Sequence, residues 1–130
     1  MKPLHSIFIV DDDPIHQQIT EIMLDRLSIS NAVTKFSDAQ DVLEHIRAQC
    51  NNASELPDVI LLDLNMPVMD GWEFLEAFSQ VRPTLIKQIK VYVLTSSIDE
   101  KDKERVSQFT FVEGYLTKPL TNDVILSLGK

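Results

Sequence analysis

Cysteine occurs once in this sequence, at Cys50, so no intrachain disulfide can staple the fold, and the setting expected is reducing and cytoplasmic. Cys50 itself reads as a surface or boundary residue at the end of a helix. Basic residues are scarce: 12 Lys and Arg face 20 Asp and Glu, a formal charge of -8. Nucleic acid and anionic membranes both need a basic footprint, so neither is expected as a partner. No apolar run approaches the ~18 residues of a membrane span. The first run is only four residues long and is cut by three aspartates, which excludes a signal peptide. Internal repeats, low-complexity tracts and interdomain linkers are missing too. At 130 residues the expectation is one domain over 1–130, large enough for a real core, with no effector domain beside it.

What the sequence does have is alternation. Short β-rich apolar runs are separated by longer stretches of helical spacing, the pattern of repeated βαβ units and a parallel sheet. Strands are predicted at Ser6–Val10, Ala32–Phe36, Asp58–Leu62, Lys90–Leu94 and Phe111–Leu116. Helices are predicted over Pro14–Leu27, from Asp38 or Ala39 to Gln49, from Asp70-Gly71 to Gln80, over Asp99–Gln108 and over Asn122–Leu128. Asp13 and Pro14 supply a cap and a first helical residue, Thr121 starts the last helix and Gly129 stops it. On the first helix Ile15, Ile19, Ile22, Met23 and Leu27 fall on one face, the expected buried one, and on the second Val42, Leu43 and Ile46 point inward. The order predicts an α/β fold, a doubly wound five-stranded parallel sheet with five helices on its two faces.

Ligands of such sheets sit outside the carboxyl ends of the strands. Asp11-Asp12, Asp63, Thr95 and Lys118 all stand at those ends, so the topology alone gathers three carboxylates, a hydroxyl and an ammonium. Carboxylates ~4 Å apart repel by about 4 kcal/mol per pair at an effective dielectric near 20, which calls for cations. Lys118 is one, and an oxygen-seeking Mg²⁺ suits the rest, since no His or Cys cluster points to a softer metal. A carboxylate is also a nucleophile toward phosphorus, and phosphoryl transfer depends on positioning and on neutralising the phosphoryl oxygens. Asp63 would attack, with Mg²⁺, Lys118 and Thr95 each taking an oxygen.

The run Asp63-Leu64-Asn65-Met66-Pro67-Val68-Met69-Asp70-Gly71, preceded by Asp11-Asp12 and followed by Thr95 and Lys118-Pro119, resembles the receiver domain of two-component response regulators. The resemblance covers essentially the whole chain and is closest in form to a stand-alone, chemotaxis-type regulator. It implies a flavodoxin-like sheet of strand order 2-1-3-4-5, and a phosphoacceptor at Asp63. It implies Mg²⁺ held by Asp12 directly, by Asp11 largely through water, by Asp63 and by the backbone carbonyl of Asn65. Lys118 would pair with the phosphoryl group, its direction fixed by a cis bond to Pro119. Thr95 and Tyr115 match the switch pair, while Asn65 and Ser97 occupy the positions that tune hydrolysis. The implied partners are a sensor histidine kinase or phosphotransfer protein upstream and a protein target downstream, the chain itself being a monomer or weak dimer and not a turnover enzyme.

Two rival functions fit parts of the pattern. A haloacid-dehalogenase-type phosphohydrolase also uses a nucleophilic Asp with Mg²⁺, but needs an acid where Asn65 stands. An unphosphorylated docking module would be expected to have lost the acidic pair, the acceptor or the lysine, and all are present. His16 is not expected to act as a phosphotransfer histidine, since no four-helix bundle is predicted, and His5 and His45 read as surface residues. Trp72 and Phe74 read as core or groove residues. The fourth helix is nearly all charge, with Ile98, Val106 and Phe109 as its apolar anchors and pairs such as Asp99 with Lys103 adding a few tenths of a kcal/mol.

Overall fold

A computed structural model describes residues 4–64, 70–96 and 99–129. Its element order is β1 (Leu4–Val10), α1 (Pro14–Arg26), β2 (Ser30–Phe36), α2 (Ala39–Ala48), β3 (Val59–Asp63), α3 (Gly71–Val81), β4 (Lys90–Thr95), α4 (Glu100–Val106), β5 (Val112–Thr117) and α5 (Asn122–Ser127). The five strands are parallel and lie in the order β2-β1-β3-β4-β5. Strand order reverses between β1 and β3, which opens the crevice where ligands of doubly wound sheets bind.

Side chains alternate along each central strand and so build two cores. Phe8, Val10, Ile60, Leu62, Val91 and Val93 face one way, against α2, α3 and α4. Ile7, Ile9, Val59, Leu61 and Leu94 face the other, against Leu24 of α1 and Ile125 of α5. With both faces covered, β3 reads as an unbroken apolar run, Val59-Ile60-Leu61-Leu62, all fully buried.

The helices start where capping chemistry allows. Asp13 accepts the N–H groups of Ile15 and His16, and Asp38 accepts that of Gln40. Asp70 and Glu73 form a reciprocal capping box on α3. Thr121 accepts the Val124 N–H on α5. With glycine rare, α1 ends through a non-glycine residue in the left-handed region, Ser28 at φ 53°. The turn is closed by the Ile29 N–H donating to the Leu24 carbonyl at 3.2 Å.

Three expectations need correction. Ile15, Ile19 and Ile22 do not face the core: they are 69%, 45% and 46% exposed. The buried residues of α1 are His16, Gln17, Thr20 and Leu24, a stripe turned about 100° from the isoleucines, with Met23 and Leu27 half-buried beside it. The cause is local. The start of α1 lies against the ends of β1 and β2, whose last carbonyls need donors, and Gln17 Nε2 donates to those of Asp11 at 2.7 Å and Phe36 at 2.8 Å. Second, His45 is not a free surface residue. It is half-buried, its ring 5.4 Å from that of Phe8, with Nε2 2.9 Å from the Glu55 carbonyl oxygen.

Third, Asp99 forms no ion pair with Lys103 among the described residues. It caps α4 instead, accepting the Lys101 and Asp102 N–H groups. That helix is seven residues long and buries only Val106, with Phe109 packed beyond its end and Arg105 lying 4.1 Å above the Trp72 ring. Ile98, the other expected anchor, lies outside the described residues.

Candidate functional site

Adjacent parallel strands bring their carboxyl ends to one edge, and three of those ends carry the acidic and basic groups. Asp11 follows β1, Asp63 is the last residue of β3, and Lys118 follows β5. Lys118 Nζ lies 3.0 Å from Asp63 Oδ2 and 3.0 Å from Asp11 Oδ2. Asp11 and Asp63 are buried and Asp12 is exposed, yet the three carboxylates each offer an oxygen within 4.8 Å of the other two. The peptide bond between Lys118 and Pro119 is cis, as the resemblance implied.

Asp11 is the most enclosed member, with no accessible surface. Its Oδ1 accepts the Asp13 N–H at 2.9 Å, and its Oδ2 receives the Lys118 ammonium together with His16 Nδ1 at 2.6 Å. Burial alone would push this carboxyl up. The Asp13 N–H, the ammonium and the imidazole outweigh burial and hold it below the ordinary carboxylate range. Lys118 shows the mirror image: burial pulls the ammonium down, but hydrogen bonds and charge from Asp63 and Asp11 raise it above its ordinary value. It is therefore a fixed positive charge. Among the described residues one ammonium stands with three carboxylates, and an all-oxygen donor set of this size suits Mg²⁺.

Thr95 ends β4 and is buried. Its carbonyl accepts the Lys118 N–H at 2.8 Å, and its neighbour Leu94 is the register partner of Asp63. Thr95 continues the alternation of Val91 and Val93, and Tyr115, the partner of Val93, packs against the same core, on the side that carries α4. The Tyr115 hydroxyl is buried without a hydrogen-bond partner among the described residues. Of the predicted site, Asp11, Asp12, Asp63 and Lys118 come together, and Thr95 flanks them. Asn65 and Ser97 lie outside the described residues.

Gly71, the first residue of α3, donates its N–H to the Leu64 carbonyl at 2.9 Å. A Cβ on Gly71 would stand 2.6 Å from Leu64 Cα, closer than atoms approach, so only glycine fits. Missed from the sequence were the two α1 residues that brace this edge, His16 and Gln17. Their only trace is a stripe at 16, 20 and 24 whose first two members are polar, and which a reading by apolar period passes over.

Comparison with known proteins agrees with this geometry. The response regulator receiver domain family matches residues 7–128. A probable methanogenesis regulatory protein FilR2 of Methanothrix harundinacea is 30% identical, the match covering 88% of this chain and 72% of the relative. A response regulator receiver protein of Dyadobacter fermentans superimposes with a TM-score of 0.82 at 29% identity, covering 95% of this chain and 94% of that one. A two-component response regulator of Cytophaga hutchinsonii reaches a TM-score of 0.88 at 24% identity over 98% and 95%, which supports the fold. Other curated relatives are longer, and the chain spans 53% and 47% of two of them. Among the described residues no helix is long and apolar enough to cross a membrane.

Proposed function

The chain belongs to the response regulator receiver family, and from that premise we propose that it is a phosphorylatable switch. Asp63 accepts a phosphoryl group from a histidine kinase or phosphotransfer protein, and the altered surface engages a downstream protein. The observation that carries this reading is Lys118, whose ammonium lies 3.0 Å from the carboxylates of both Asp63 and Asp11. A buried carboxylate at a strand end, with a fixed cation beside it, has its nucleophile and its charge stabiliser already in place.

In the transfer, an Asp63 oxygen bonds to phosphorus as the bond from phosphorus to the donor's nitrogen or oxygen breaks, its electron pair leaving with the donor. The product is an acyl phosphate. Lys118 neutralises one phosphoryl oxygen, and the Thr95 hydroxyl takes another. Asp11, Asp12, Asp63 and the Asn65 carbonyl are the groups that would hold Mg²⁺, which supplies further neutralisation when bound. Thr95 and Tyr115 share the face that carries α4, so a hydroxyl drawn toward the phosphoryl group alters the packing under a lightly held helix. The chain catalyses only its own phosphorylation and dephosphorylation.

Incubation with Mg²⁺ and acetyl phosphate is expected to give a base-labile phosphoryl adduct, visible as a mass increase on the intact protein. Asp63→Asn should abolish it. An adduct of undiminished yield in that variant would overturn the assignment of the acceptor, and repeated turnover of simple phosphate esters would favour the phosphohydrolase reading.

A further inference from the structure

The inward stripe of α1 holds two polar residues at the site edge, and only one of them is accounted for by backbone hydrogen bonding. Gln17 supplies donors to two strand-end carbonyls. His16 does nothing of the kind. It is nine-tenths buried, its Nδ1 stands 2.6 Å from Asp11 Oδ2, and its Nε2 is buried without a partner among the described residues. A buried nitrogen without a partner is costly, so leucine of similar bulk would serve packing better. What leucine would not supply is the hydrogen bond to Asp11. An ionised carboxylate only accepts, so Nδ1 must carry the proton in that bond.

We propose that His16 is a positioning residue of the metal site: its Nδ1–H fixes the Asp11 carboxylate so that it stays grouped with those of Asp12 and Asp63. This rests on the reading of those carboxylates as a Mg²⁺ site. Lys118 and His16 share Asp11 Oδ2, and the Asp13 N–H holds Oδ1, so three donors from three parts of the chain set the plane of one carboxylate. Two of the three could not orient it alone. The Asp13 N–H comes from a residue two positions along the same loop, and Lys118 is divided between Asp11 and Asp63. The imidazole is the one donor given wholly to Asp11 by a rigid helix.

Outer partners of metal-ligating groups commonly contribute about 10–100-fold to metal affinity. The full chain is therefore expected to bind Mg²⁺ about tenfold more weakly after His16→Leu, measured by titration calorimetry with no phosphodonor present. Two amide variants separate orientation from packing. The side-chain nitrogen of Asn overlays Nδ1 and that of Gln overlays Nε2, so His16→Asn should recover most of the affinity and His16→Gln should not. Long-range proton–nitrogen NMR of the metal-free protein should show His16 protonated at Nδ1.

A folded His16→Leu protein with the parent's Mg²⁺ affinity would overturn the inference. If that variant does not fold, equal affinities for the Asn and Gln variants would overturn it as well. A parent chain that binds no Mg²⁺ would bring down the metal site itself, and this inference with it. Loss of phosphorylation alone would not distinguish the two, which is why the readout is metal binding.

Discussion

An aspartate–lysine pair stands at each end of β3, and the two pairs are built on opposite logic. At the amino end Asp58 is fully matched. Its Oδ2 accepts the His5 N–H at 2.6 Å and the Ser6 N–H at 3.3 Å, and its Oδ1 meets Lys87 at 2.7 Å. Lys87 also donates to the Leu56 carbonyl at 3.1 Å, so one carboxylate and one ammonium stitch together the start of β1, the approach to β3 and the segment before β4. At the carboxyl end, among the described residues, one ammonium faces three carboxylates. The balanced end closes the sheet. The other end gathers three carboxylates close enough to share a cation, and the contrast separates a pair that joins elements from a cluster that could receive an ion.

The largest separation between the two ends should appear in stability. Asp58→Ala strands Lys87 and two backbone N–H groups, and is expected to cost about 2 kcal/mol in urea unfolding. Asp63→Asn should cost less than about 0.5 kcal/mol, or stabilise, because it removes one of three mutually repelling carboxylates while Lys118 keeps Asp11. Equal losses at the two ends would erase the distinction.

pH offers a second separation. Burial would raise the Asp58 carboxyl, but Lys87 and the His5 and Ser6 N–H groups hold it below 3.8. Its folded value lies below its unfolded one, so its contribution is complete above about pH 4 and is lost as pH falls below 3.8 through the folded value. Lys118 lies above 10.5 when folded, so its contribution is complete below that value and is lost only as pH rises beyond it. Unfolding between about pH 2 and 5 should thus show a shallower acid slope after Asp58→Asn, whereas Lys118→Met should remove the change above about pH 10 and also alter the acid limb, because Asp11 loses the ammonium that lowers it.

The smallest effect expected belongs to neither end. Ser28→Gly relieves a left-handed residue at the end of α1, but glycine's greater unfolded-state freedom offsets most of that relief, so the variant should gain only about 0.3 kcal/mol of stability without moving Mg²⁺ affinity. A change in metal binding would show that the two ends are not independent of the helix between them.

The strands were legible because a buried parallel sheet writes continuous apolar runs, and their ends gave the site, since chemistry in this topology collects where strands stop. Asp63 and Lys118 could be found from position alone. Helix α1 misled for a physical reason: its inward face meets strand-end carbonyls and a carboxylate, so donors were needed there and the isoleucines were left outside. His16 was invisible to the same reading, because a histidine between polar neighbours shows its partner only in space. Asp99 misled in a smaller way, its side chain serving the first turn of α4 before any pairing along the helix.

The close approach of Gly71 to Leu64 sets how near α3 can stand to the end of β3. The Gly71 N–H and the Leu64 carbonyl meet at 2.9 Å because no Cβ stands between them, so the missing side chain is what lets the first turn of α3 touch the residue after β3 backbone to backbone. A methyl group at 71 would push the first turn of α3 away from Leu64 and from the Asp63 carbonyl, displacing the end of β3 with every charged group of the site left chemically intact.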